Sequence, residues 1–158
     1  MAYLDTRDLA KRLEELKDEK EGLISLIDEK EEEIDDKENE IEECEFDDER
    51  EVATDDLVDL QEELKELKEE FQNWIEENQE ELEELEGLEN QISEWSDGNT
   101  MIPEEDFVDY CQELCEDIGD LPSDLPGYIV IDWEATADNL KVDYSEVEYQ
   151  GETYLVRD

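Results

Sequence analysis

Along two long tracks of the chain, apolar residues recur in alternating steps of three and four, and that spacing leaves few folds open. The first track runs through Thr6, Leu9, Leu13, Leu16, Lys20, Leu23, Ile27, Lys30, Ile34, Lys37, Ile41 and Cys44. The second takes Leu57, Leu60, Leu64, Leu67, Phe71, Trp74, Asn78, Glu81, Leu85, Leu88, Ile92 and Trp95. A helix gathers such positions into one stripe, and two stripes of this length bury each other as a coiled coil. Thr54-Asp55-Asp56 offers an N-cap and first-turn acids ahead of Leu57, which predicts a break between residues 45 and 54. Folding back antiparallel about that break pairs seam positions whose numbers sum to 101, setting Ile27 against Trp74, Cys44 against Leu57 and Lys20 against Glu81. Lys30 then faces Phe71 and Lys37 faces Leu64, their methylene stems covering apolar surface. Two parallel chains would satisfy the same tracks and form the competing arrangement.

Charge decides what such a helical hairpin could meet. The 158 residues include 58 acids, 12 bases and no histidine, a net charge of −46. Residues 1–97 hold 41 of the acids and 10 of the bases. A field of this sign repels nucleic acid and anionic lipid and attracts basic surfaces, so no nucleic acid and no membrane is expected as a partner. With no apolar run of about 18 residues and no basic-then-apolar start, a soluble, cytoplasmic protein is expected.

Off the seam, the acids concentrate at Asp28, Glu29, Glu32, Asp35, Asp36, Glu42 and Glu43 of the first helix and Glu62, Glu69, Glu76, Glu80 and Glu83 of the second. Helices built merely for solubility alternate Glu with Lys at i, i+4, and compensating lysines are scarce here. Arms of about 40 residues would make a rod roughly 60 Å long and about 20 Å across. Its net charge amounts to about one per 2 Å, close to the one per about 1.7 Å of duplex DNA. Carboxylates so crowded must destabilise their own fold, so a use for them is implied.

After Ser96-Asp97-Gly98-Asn99-Thr100 the pattern changes, giving a division into residues 1–97, an acidic antiparallel coiled-coil hairpin, and 98–158, a small α+β domain. Ile102-Pro103-Glu104-Glu105 reads as a helix start, with Phe107, Tyr110, Cys111, Leu114, Cys115 and Ile118 as the apolar face and Gly119 as the C-cap. Tyr128 to Ile131 read as a short strand and Trp133 to Leu140 as a helix, and the end alternates about Gln150-Gly151 as a β-hairpin. The fold class is therefore α+β. Cys44, Cys111 and Cys115 are too few for a zinc site in a chain without histidine, and read as core packing. No histidine, no Gly-rich phosphate loop and no activated nucleophile motif occurs, so neither an enzyme nor a cofactor is expected. No calcium loop occurs either, and no metal site is expected.

The stretch LPGYIVIDWEATADNLKVDYSEVEYQGETYLVRD, with its I-D-W-E-A helix start and tyrosine-bearing hairpin, resembles the C-terminal region of ArdA-type antirestriction proteins over residues 101–158. Those phage- and mobile-element-encoded proteins are elongated, acidic and commonly dimeric, and mimic DNA in the groove of type I restriction-modification enzymes. The resemblance implies phosphate-like roles for Asp132, Glu134, Asp138, Asp143, Glu146 and Glu148, and leaves homodimerisation open. Trp133, Leu140, Val147 and Tyr154 read as core in the same stretch. The expectation is a DNA-mimic antidefence protein, an inhibitor that occupies the basic DNA-binding groove of a host restriction-modification or CRISPR-type complex in the bacterial cytoplasm. Its competitors are an assembly protein with an acidic spacer and a halophilic protein whose acidity suits high salt.

Overall fold

A computed structural model describes residues 3–122 and 124–158. In chain order the elements are β1 (Leu4–Asp5), α1 (Thr6–Glu43), α2 (Asp47–Gln91), β2 (Thr100–Pro103), α3 (Phe107–Asp117), α4 (Trp133–Leu140), β3 (Tyr144–Tyr149) and β4 (Glu152–Arg157). Two long packed helices followed by a small antiparallel sheet make an α+β chain, as the periodicities predict. Contacts divide it into two compact units: residues 14–83, and the residues through Leu13 together with those from Glu84 onward. The boundary thus lies apart from the expected one at 97. β1 pairs with β2, Leu4 opposite Met101, so the start of the chain belongs to the sheet. The Gln150 amide, at the tip of the hairpin, donates to the Glu84 carboxylate and brings the last turns of α2 into the same unit.

The unit of residues 14–83 is a helical hairpin whose seam follows both tracks. From Leu16 to Cys44 and from Leu57 to Glu81 every track position is buried or half-buried. Leu16, Ile34 and Trp74 are the buried residues on these tracks, joined by Ala53 and Leu82 beside them. Lys20, Lys30 and Lys37 are half-buried, as stems lying along an apolar seam should be. The turn is shorter than predicted. Glu43 ends α1, Cys44 to Phe46 cross over, and α2 begins at Asp47, seven residues ahead of Thr54. An Arg50 guanidinium nitrogen donates to the Cys44 carbonyl (2.8 Å) and holds the crossing. Thr54 is no cap. It sits inside α2 with its hydroxyl donating to the Arg50 carbonyl at 2.8 Å, the alternative that short hydroxyl side chains take within a helix.

The earlier turn also corrects the register. Lys30 meets Glu63 and Lys37 meets Asp56, pairs whose numbers sum to 93. Lys20 meets Gln79 and Lys68 meets Glu31, pairs that sum to 99, and none reaches the expected 101. Lys30 against Phe71 and Lys37 against Leu64 belonged to that looser register. A slip of about one heptad returns apolar positions to apolar positions, so the tracks alone fit either alignment. The length of the turn breaks the tie.

In the other unit the sheet runs in the order β1-β2-β4-β3, antiparallel throughout. β4 is interior and is covered on both faces: Tyr154, Leu155 and Val156 are all buried. Leu155 joins Ile102, Phe107, Cys111 and Ala137 in one apolar cluster, with Tyr3, Val108, Tyr110, Leu140 and Tyr144 at its border. Strand alternation sends Tyr154 and Val156 to the opposite face. The remaining buried residues of this unit include Leu9 and Leu13 on α1, Leu85 and Leu88 on α2, and Ile92 and Trp95 in the turns that follow α2. Asn99 ties the pieces: its amide donates to Thr6 Oγ1 (2.7 Å) and its Nδ2 to the Arg157 carbonyl (2.9 Å).

Local signals here are met unevenly. Helix α4 has the predicted bounds, and Asp132 Oδ1 accepts from the Ala135 amide at 3.1 Å as its N-cap. Positive φ at Gln150 (51°) and Gly151 (79°) closes the β3–β4 hairpin in the turn that such a two-residue loop requires. Gly119 (φ 78°) follows the end of α3 as predicted. Ile102 and Pro103, however, end β2 and do not start a helix. A 3-10 turn at Glu104–Asp106 intervenes, and α3 begins only at Phe107. The predicted strand at 128–131 is likewise absent, because that segment has no ladder partner.

Candidate interaction surface

In the hairpin unit the twelve acids singled out by sequence, from Asp28 to Glu83, are all exposed. The heptad seam turns its own residues inward, and what is left on the helices faces water. Glu62, Glu69, Glu76 and Glu83 stand seven apart and form one stripe along α2. Residues 14–83 contain 34 acids and 7 bases, a net charge of −27. The longer arm, Asp47 to Glu83, is about 55 Å of helix, which puts about one net negative charge on every 2 Å.

Three of the lysines pair with acids outside the twelve. Lys30 Nζ lies 2.8 Å from Glu63 and 3.2 Å from Glu33, and Lys37 Nζ lies 2.8 Å from Glu40 and 3.7 Å from Asp56. Lys68 pairs with Glu31 at 3.2 Å. Hydrogen bonds to Glu63, then to Glu33, hold the Lys30 ammonium above its ordinary pKa, and the bond to Glu40 does the same for Lys37. None of the twelve acids has an ion pair among the described residues. Glu76 and Glu83 accept only from Gln72 (3.5 Å) and Gln79 (2.9 Å) on their own helix. The lysines hold the hairpin together while the stripe keeps its charge.

Near the turn the helices open into a cavity of about 840 Å³, lined by Asp36, Glu40, Glu43, Asp48, Glu49 and Asp56 around Cys44, Val52 and Ala53. Carboxylates around an apolar floor suit basic side chains with aliphatic stems. Sequence reasoning named Asp36 and Glu43 here and missed Asp48, Glu49 and Asp56, because it placed the turn too late to bring them opposite α1.

In the sheet unit the six acids implied by the resemblance are also exposed, but the side chains of two of them take part in the fold. Asp132 caps α4 and Glu146 pairs with Lys141 at 3.4 Å, whereas Asp143 contributes only its main-chain carbonyl, which accepts the Asp158 amide at 3.1 Å. Glu134, Asp138 and Glu148 form no ion pair among the described residues. Cys111 lies in the core, where burial and then Cys115 push its thiol up to about 11, so it stays protonated and a poor nucleophile. Trp133 and Leu140 are half-buried, and Val147 and Tyr154 are buried, as read from the sequence. No helix among the described residues is long and apolar enough to cross a membrane. No family model, curated protein or solved structure matches this chain.

Proposed function

We propose that the protein is a DNA mimic that inhibits a host DNA-targeting defence enzyme, a restriction-modification or CRISPR-type complex, by occupying its basic DNA-binding groove without catalysis. One observation carries the reading: the exposed acids of residues 14–83 reach about duplex charge density on rigid helices, and the lysines of that unit neutralise none of the twelve singled out. Carboxylates in helical rows stand in for phosphates, and a groove evolved to release counterions from DNA gains the same from them. The ArdA-type resemblance of residues 101–158 supports the same target class, and Glu134, Asp138 and Glu148 are exposed acids of that stretch.

The test is competition. The pure chain is added to a DNA-binding defence complex in the presence of labelled duplex, across a salt series. Displacement of the duplex that weakens steeply with salt is expected, and the quadruple variant E62Q/E69Q/E76Q/E83Q should displace at least about tenfold less well. Circular dichroism should show its helix content unchanged. Full potency in the variant would remove the α2 stripe as the mimicking surface, and binding that leaves the duplex in place would sink mimicry altogether.

A further inference from the structure

Between α3 and α4 lies the run Tyr128-Ile129-Val130-Ile131, four residues of the aromatic and β-branched type that strands favour. Exposure along it alternates with the period of a strand: Tyr128 is 86% and Val130 88% exposed, while Ile129 is 47% exposed and Ile131 half-buried. The Ile129 amide donates to the Pro126 carbonyl (3.0 Å). No described residue bonds the amides of Tyr128, Val130 or Ile131. Other exposed apolar side chains, such as Ile24 and Val58, stand singly on helices and need no explanation. A contiguous apolar stretch with an unpaired backbone does, because it marks an interaction site or an aggregation hazard.

We propose that residues 128–131 are a strand completed by another protein, adding to the exposed edge of a β-sheet whose rim carries lysine or arginine. The sign of the flanks selects that occupant. Asp124, Asp132 and Glu134 border the run and are exposed, and all are acidic. Natural sheet edges are guarded above all by lysine, which these flanks would neutralise. A second copy fits poorly, since it brings another −46, and of its two sheet edges β3 presents Glu146 and Glu148 to the same acids while β1 is only 2 residues long. Main-chain bonds supply the affinity of such a joint, and pockets for Tyr128 and Val130 supply its selectivity. The contact goes beyond mimicry and does not depend on it, for apolar burial and backbone pairing persist where salt has screened the acidic stripe.

The experiment uses the full chain and a surrogate edge: an end-blocked peptide alternating lysine with valine, against an end-blocked oligolysine of equal length. Hydrogen exchange is followed residue by residue in about 0.5 M NaCl, where charge attraction alone is largely screened. The alternating peptide is expected to slow exchange of the Tyr128 and Val130 amides by about tenfold or more, and oligolysine to leave them unchanged. The variant Y128S/V130S, altered only at exposed side chains, should lose most of that protection with its other amides unaffected. Equal protection by oligolysine, protection that grows with the concentration of the chain alone, or no protection at 128–131 would each overturn the proposal.

Discussion

The two units divide apolar burial and charge unequally. Of the 21 buried apolar residues among those described, 5 belong to residues 14–83 and 16 to the sheet-bearing unit, so most of the closed core lies in the latter. Residues 14–83 nonetheless carry −27 of the net −46. They rely on a single half-buried seam, with Leu23, Ile27, Leu60, Leu64, Leu67 and Phe71 all partly exposed, against the mutual repulsion of their own carboxylates. The sheet unit encloses β4 on both faces. One region is held as globular domains usually are, and the other trades stability for a charged surface. That difference separates their responses to truncation, pH and salt.

The largest effect is expected in the sheet unit. Leu155→Ala empties a fully buried position of the cluster with Ile102, Phe107 and Cys111, and should destabilise this unit by about 3 kcal/mol. Exchange of the β4 amides should speed up accordingly, and a change below about 0.5 kcal/mol would mean that the core is elsewhere. Next comes alkaline pH. Burial, then Tyr110, pushes the Tyr144 hydroxyl up to about 12, above its ordinary 10. Because the folded value is the raised one, its contribution is complete below pH 10 and is lost as pH rises toward about 12. Cys111, raised by burial to about 11, acts in the same direction. Tyr144→Phe should therefore flatten the alkaline decline of the β-hairpin amides. An unchanged decline would assign it to Cys111 or to the lysines.

How much of this was legible in the chain follows from the range of each signal. The heptad tracks, the α4 bounds and the Gln150-Gly151 turn rest on residues close in sequence, and all appear in the structure. The register was not legible, because a one-heptad slip still sets most apolar seam positions against apolar ones and only the three-residue turn at Cys44 to Phe46 decides it. β1 was missed since Leu4 and Asp5 are a strand only by virtue of Met101 and Thr100, some 95 residues away. The reverse error at 128–131 had the same origin, for strand propensity was present and the neighbouring strand was not. At the candidate surface the exposure of all eighteen acids was legible, and the capping and ion-pair duties of Asp132 and Glu146 were not.

Salt sharpens the contrast from the other side. Raising NaCl from about 0.01 to 0.5 M shortens the screening length from roughly 30 Å to a few ångströms, which relieves repulsion along α1 and α2. Exchange of seam amides between residues 20 and 80 should slow by on the order of tenfold, while the β4 amides change little. Equal slowing in both units would deny that repulsion is concentrated in the hairpin. No slowing in either would show that its charge is already neutralised by bound counterions.

The smallest effect tests whether an exposed carboxylate at the border of the seam is kept for its bond or tolerated despite its charge. Trp74 is buried with its indole nitrogen donating to Glu19 Oε2 at 3.0 Å, a bond between α2 and α1. Trp74→Phe keeps most of the ring and removes the donor, and should destabilise the hairpin by about 1 kcal/mol. Glu19→Gln keeps an acceptor oxygen in place and removes one negative charge, so the bond weakens while repulsion falls. If the bond dominates, both variants melt earlier than the parent at every salt concentration. If repulsion dominates, Glu19→Gln melts later than the parent at low salt, and that gain disappears at high salt. The second result is expected, because the 34 acids of this unit outnumber its 7 bases so heavily that removing a charge outweighs weakening one hydrogen bond.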